Sequence, residues 1–141
     1  MENIKTPSYV VKAINELERI FVRDNNKKLE KLAKFTRGET FVLKVLLNST
    51  EPVTPTELSK TLKISKARIS AILKALERKN RIIREVDRNN KRNVKVFITD
   101  EGRQAIEKEL EEGYNFFAKA LSKMSKNDAE TFVKLTETFL K

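Results

Sequence analysis

Between Ser65 and Lys74 the chain reads Ser-Lys-Ala-Arg-Ile-Ser-Ala-Ile-Leu-Lys, cations and hydroxyls interleaved with small residues and an apolar stripe. Lys66, Arg68, Ser70 and Lys74 supply hydrogen-bond donors of the kind that meet base edges and phosphate oxygens, while Ala67 and Ala71 permit close approach to a surface. Arg68 carries a planar fork that can bind guanine through two hydrogen bonds; Lys66 and Lys74 are point charges better matched to phosphates. Further on, Arg88, Lys91 and Arg92 stand in the polar stretch Asp87-Arg88-Asn89-Asn90-Lys91-Arg92-Asn93. Cations at such a tip could enter or straddle a minor groove, where the negative potential is enhanced.

The charge distribution sharpens this chemistry. The 141 residues carry 30 Lys+Arg and 20 Asp+Glu, a formal charge of +10. Residues 60–95 hold 13 of the basic side chains against Glu77, Glu85 and Asp87, so that this quarter of the chain is itself +10 and the remainder sums to zero. Such a segment is either a solvated lysine-rich face or the footprint of a polyanion. Clustering of the cations on one helix and one adjacent hairpin favours DNA.

Other chemistry is excluded by composition. With Cys 0 and His 0 there is no thiol nucleophile, disulfide, Cys/His zinc site, histidine base or imidazole pH switch. Gly38, Gly102 and Gly113 are too few and too dispersed to build a glycine-rich phosphate loop. The carboxylates Glu107, Glu109, Glu111 and Glu112 read as the solvated face of a helix, with no nucleophile or base patterned beside them. No enzymatic activity, cofactor or metal is expected. No apolar run approaches the roughly 20 residues that span a bilayer. The first residues lack the apolar core of a signal peptide, so a cytoplasmic location is the expectation.

The elements that must position the cations follow from periodicity. Val10, Ala13, Ile14, Leu17, Ile20 and Phe21 recur at helical spacing, and the polar stretch Asp24 to Lys28 interrupts or bends that helix before Leu29, Leu32, Ala33 and Phe35. Thr36 and Glu39 have the spacing of a capping box, predicting a helix from Arg37 to Asn48 with Phe41, Val42, Val45 and Leu46 inward. Thr54 and Glu57 repeat that spacing with proline at the first helical position, predicting a short helix from Pro55 to Leu62. After the tight connection Lys63-Ile64, Ser65 caps a helix from Lys66 to about Lys79 whose inward stripe is Ile69, Ile72, Leu73 and Leu76. Asn80 tolerates the left-handed geometry that ends a helix. Ile82 to Val86 and Val94 to Ile98 then flank the basic tip as a hairpin. Thr99 opens a long helix through Leu121, and Ser125 with Asp128 starts a last one.

Helix, short helix, tight turn, helix and basic hairpin is the order of a winged helix-turn-helix, in which the second helix of the turn enters the major groove. The fold class is mainly α with a small β-hairpin. From Thr54 to Gly102 the chain resembles the DNA-binding lobe of the MarR family of bacterial and archaeal regulators. The matching pieces are Thr-Pro-Thr-Glu-Leu-Ser before the turn, Ile-Ser-Lys-Ala-Arg-Ile-Ser opening the recognition helix and Leu-Glu-Arg-Lys-Asn closing it. They continue in the Asp-Arg-Asn-Asn-Lys-Arg wing and in Ile-Thr-Asp-Glu-Gly-Arg leading to the next helix. The family usually has glycine at the position of Asn80, an aspartate at that of Asn90 and an arginine at that of Lys91. Arg92 matches the arginine that members send toward the minor groove.

The resemblance implies a sequence-specific double-stranded DNA-binding regulator, a repressor that forms a homodimer on a pseudopalindromic operator. Seven of the ten aromatics (Tyr9, Phe21, Tyr114, Phe116, Phe117, Phe132 and Phe139) lie in the first and last two helices. They pack within the chain or against a second copy; the resemblance favours the copy and spaces the recognition helices by roughly one duplex turn, 34–36 Å. The expected organisation is 1–35 as an N-terminal dimerisation helix, 36–99 as the winged helix-turn-helix lobe and 100–141 as C-terminal dimerisation helices, all in one structural domain. The resemblance further implies a small aromatic or phenolic anion as effector, for which Tyr9, Phe35, Phe41 and Tyr114 are candidate contacts or else core residues. Sensing through cysteine or histidine is excluded by composition. The alternative function is a winged-helix interaction module that binds protein or RNA without an operator.

Overall fold

The structure is a computed structural model that describes residues 5–90 and 92–141. It divides into two compact units, Met1–Arg37 and Gly38–Lys141.

The first unit holds helices α1 (Ser8–Val22) and α2 (Lys28–Phe35). Between them the polar stretch makes a true break. Lys27 turns left-handed at φ 54°, and the Asp24 carboxylate accepts hydrogen bonds from the amides of Lys28 (3.0 Å) and Leu29 (2.9 Å). A carboxylate at that position satisfies unpaired donors and meets the positive end of the helix dipole. These two amide bonds, Leu29's the stronger, hold the Asp24 carboxyl below its ordinary pKa. At the other end of α2 the Thr36 hydroxyl donates back to the carbonyl of Leu32 at 2.7 Å. The Thr36 hydroxyl thus has a partner at the end of α2, and the Glu39 carboxylate is engaged by Lys79.

The second unit runs α3 (Gly38–Leu47), α4 (Pro55–Leu62), α5 (Lys66–Arg78), β1 (Ile82–Val86), β2 (Val94–Ile98), α6 (Asp100–Leu121) and α7 (Lys126–Leu140). Its core joins Val42, Leu43 and Leu46 of α3, Leu58 of α4 and Ile69, Leu73 and Leu76 of α5 to Ile82, Val96 and Ile106. Each large aliphatic side chain buried there contributes roughly 1.5–3 kcal/mol. Phe41, expected inward, is 41% exposed, and Leu43 at 1% takes its place. Residues 41–43 are all apolar, so α3 can present either of two phases, and the packing of α5 and α6 on it selects the one that buries Leu43.

β1 and β2 pair antiparallel with Ile82 opposite Ile98 and Val86 opposite Val94. The sheet gains one bridge on its other edge, where the Val96 amide donates to the Val53 carbonyl at 2.8 Å. That bridge fastens the α3–α4 connection to the hairpin. The base of the hairpin is locked to α6. The Thr99 hydroxyl donates to the Asn80 carbonyl (2.6 Å) and accepts from the Gly102 amide (3.0 Å), while the Thr99 amide donates to the Arg81 carbonyl (3.1 Å). The Arg81 carbonyl also explains Gly102, since a Cβ there would stand 2.1 Å from its oxygen. Left-handed backbone occurs at Lys27, Lys63 and Asn80, all non-glycine residues.

Candidate nucleic-acid interface

α4 and α5 are set by two caps and a tight turn. Thr54 accepts from the Glu57 amide and the Glu57 carboxylate accepts from the Thr54 amide, both at 3.2 Å, the reciprocal pattern that fixes where a helix begins. The chain then reverses at Lys63, with φ 55°, while the Ser59 hydroxyl donates to the Ile64 carbonyl at 2.6 Å. Ser65 caps α5, its hydroxyl accepting from the Arg68 amide at 3.2 Å. These local bonds decide the face that α5 shows to solvent. Ile69, Leu73 and Leu76 are buried, and Ser65, Lys66, Arg68, Ser70 and Lys74 are all exposed along the same helix.

Arg68 stands to one side of that face. Its guanidinium lies beside the start of α3, with Nη2 3.6 Å from the point a Cβ on Gly38 would occupy. Ser65 serves first as a cap.

At the tip of the hairpin, Arg88 and Arg92 are exposed; Lys91 lies outside the described residues. The tip is shaped by side chains of the Asn/Asp type bonding to nearby amides. Asp87 accepts from the Asn89 amide (2.9 Å) and Asn90 from the Arg92 amide (3.2 Å), and Asp87 and Asn93 close the loop through a backbone bond of 3.0 Å. Asn90 thus supplies a side-chain acceptor that shapes the tip.

Two ion pairs that the sequence reading did not include divide the basic segment. Arg84 of β1 donates through Nε to Glu77 of α5, and Lys79 donates to Glu39 of α3 at 2.8 Å. The hydrogen bond from Arg84, reinforced by its charge, holds the Glu77 carboxyl below the usual glutamate range. Neither pair has helical i, i+4 spacing, which is why periodicity gave no sign of them. On the surface of α5 a shallow depression is lined by Lys74, Glu77 and Arg78. Among the described residues no cluster of three or more carboxylates is placed to hold a metal ion, and no helix is long and apolar enough to cross a membrane.

Comparison with known proteins agrees with this geometry. The family model described as winged helix DNA-binding domain matches residues 39–116, more than half of the chain. A comparison with curated proteins finds no match. Among solved structures, the chain is similar to the MepR–DNA complex of S. aureus (23% identity, 96% of each chain covered, TM-score 0.64). It is also similar to the YusO protein of Bacillus subtilis (22% identity, 96% of this chain and 98% of that one, TM-score 0.58). A probable transcriptional regulator from Pseudomonas aeruginosa matches over 87% of this chain and 96% of its own, at 21% identity and TM-score 0.59. With its capped α4–α5 turn, its hairpin and its fold of the MarR type, the chain belongs to the winged helix DNA-binding domain family.

Proposed function

We propose that the protein is a homodimeric, sequence-specific transcriptional repressor that binds a pseudopalindromic site in double-stranded DNA. One observation carries this function: within the +10 segment of residues 60–95, Lys66, Arg68, Lys74 and Arg78 of α5 and Arg88 and Arg92 of the adjacent hairpin are all exposed. In this arrangement Ser65 fixes the start of α5, Arg68 and Ser70 read base edges, and Lys66 and Lys74 meet phosphates. Arg88, Lys91 and Arg92 follow the neighbouring minor groove. The MepR structure was solved as a DNA complex, which supports the same use of the fold here.

Dimerisation is supported by apolar side chains left open at both ends of the chain. Neither α1 nor α7 has a buried residue. On α1, Ile20 is 62% and Phe21 49% exposed; on α7, Leu135 is 62% and Phe139 78% exposed. Surfaces of this kind mark protein contacts, and a two-fold pair would let residues 1–35 and 100–141 serve as arms for two lobes of residues 36–99. A small aromatic or phenolic anion is the class of effector that goes with this function, and a cytoplasmic location goes with it too. Phe41 and Tyr114, at 41% and 74% exposure, are available to such a molecule.

Selection of bound fragments from genomic DNA, followed by mobility shift on the selected fragment, tests the assignment. Arg68→Ala and Arg92→Ala are expected each to weaken binding about fivefold or more, consistent with about 1–3 kcal/mol for a base contact. Equal affinity of both variants and the parent, or no preference for any fragment over random duplex, would favour a protein- or RNA-binding module.

A further inference from the structure

We infer that Arg78 joins Lys66 and Lys74 as a side chain of α5 that grips the phosphate backbone of the duplex, and that Lys79 and Arg84 are withheld from it by internal carboxylates. The inference rests on the DNA-binding function proposed above and assigns roles within it.

Its first support is the phase of α5. Successive side chains turn by about 100° around a helix. With Ile69, Leu73 and Leu76 buried, the direction opposite the core is taken by Ala67, Ala71, Lys74 and Arg78, at i, i+4, i+7 and i+11. All four are exposed. Arg68 and Lys79 fall on the flank toward α3, as their neighbours Gly38 and Glu39 attest. Glu77 falls on the opposite flank, where it meets Arg84 of β1. The central row therefore begins with two methyl groups and ends with two cations. A recognition helix enters the groove by its N-terminal half. Small residues there let the backbone approach the bases, and Lys74 and Arg78 arrive where the second half of the helix passes the sugar-phosphate strand.

The second support is electrostatic. Lys74 and Arg78 line one shallow depression together with Glu77. An unpaired carboxylate beside them would repel a phosphate, but the Arg84 guanidinium is bonded to it. Lys79 spends its charge on Glu39. Among the described residues neither Lys74 nor Arg78 forms an ion pair, so both can exchange counterions for phosphates.

The test compares variants that each remove one positive charge and so change the overall field equally. Affinity of the full-length protein for duplex DNA is measured by fluorescence anisotropy between 50 and 200 mM salt, for the parent and for Lys74→Ala, Arg78→Ala and Lys79→Ala. Each phosphate contact contributes about 0.9 to the slope of log affinity against log salt. Lys74→Ala and Arg78→Ala are expected to lower the slope by about that amount, and Lys79→Ala by less than about 0.3. Thermal melting confirms that each variant is folded, and Lys79→Gln replaces Lys79→Ala if the latter is not. Loss of slope in the Lys79 variant equal to that in Arg78→Ala overturns the assignment while leaving DNA binding intact. A parent protein that does not bind duplex at 50 mM salt overturns the DNA-binding function itself.

Discussion

The Thr40 hydroxyl on α3 donates to Oε1 of Glu109 on α6 at 2.8 Å, across 69 residues of sequence. Thr40 is only 5% exposed, so the bond ties the scaffold of the recognition helix to the long helix that follows the hairpin from inside the protein. Replacing Thr40 with Val keeps the shape and removes the donor, leaving a half-buried carboxylate without that partner. Loss of a hydrogen bond to a charged group costs about 1.5–3 kcal/mol. Urea denaturation should show Thr40→Val destabilised by that much and Thr40→Ser by less than half as much; equal stability of Val and the parent would make the bond irrelevant.

Gly102 should be far less tolerant of alanine than Gly38. At Gly102 the new Cβ would stand 2.1 Å from the Arg81 carbonyl oxygen, a backbone atom pinned by the Thr99 amide. Alanine gains up to about 1 kcal/mol in helix propensity, and a forced backbone shift costs typically 1–3 kcal/mol or more, so the clash wins. At Gly38 the nearest atom is Ile72 Cδ1 at 2.7 Å, the far end of a side chain that can rotate away. Thermal melts are expected to put Gly102→Ala well below the parent and Gly38→Ala close to it.

Ser65→Ala removes the hydroxyl that receives the Arg68 amide at the start of α5. The expected cost is about 1 kcal/mol, with a range of about 0.5–2 for such caps. Fraying of that first turn also displaces Lys66 and Arg68, so affinity for DNA should fall with stability, whereas Ser65→Asp, which retains a capping acceptor, should restore the melting temperature. A melt of Ser65→Ala that matches the parent would count against the cap.

Two carboxyls set an acid limit. Glu77, bonded by Arg84, and Asp24, bonded by the amides of Leu29 and Lys28, both have pKa values below their ordinary 4.5 and 3.8. A carboxyl depressed in the folded state binds its proton more readily when unfolded. Its stabilisation is complete above the ordinary pKa and is lost as pH falls through the folded value. Melting temperature should therefore be insensitive to these groups at pH 6–8 and decline below about pH 4.5. Glu77→Gln and Asp24→Asn should each flatten that decline, and an unchanged acid profile in both would remove these groups as its cause.

Much of the fold was legible because it rests on local chemistry. Thr54 with Glu57, Ser65, Asn80, Thr99 and Ser125 each mark a boundary with a side chain or backbone geometry suited to it, and each does so in the structure. Thr36 and Glu39 have the same spacing as Thr54 and Glu57, yet the Thr36 hydroxyl donates into the last turn of α2 and the Glu39 carboxylate meets Lys79, partners that spacing does not reveal. The run Phe41-Val42-Leu43 carries no polar residue to fix a phase, so tertiary packing chose it. At the interface, the cations were visible as a charge excess, but which of them are committed internally depends on Glu39 and Glu77 meeting partners through the tertiary fold. A single bridge such as Val53 to Val96 leaves no alternating pattern to read.

Lys63 sits left-handed in the turn between α4 and α5, a position where glycine is the residue without steric penalty. An L-residue there carries a strain of roughly 1–2 kcal/mol. What the chain keeps in return is an ammonium group at the corner of the helix-turn-helix, where glycine would leave bare backbone. The turn is thus a place where backbone comfort has yielded to charge, and Lys63→Gly should make the protein harder to melt and poorer at holding a polyanion.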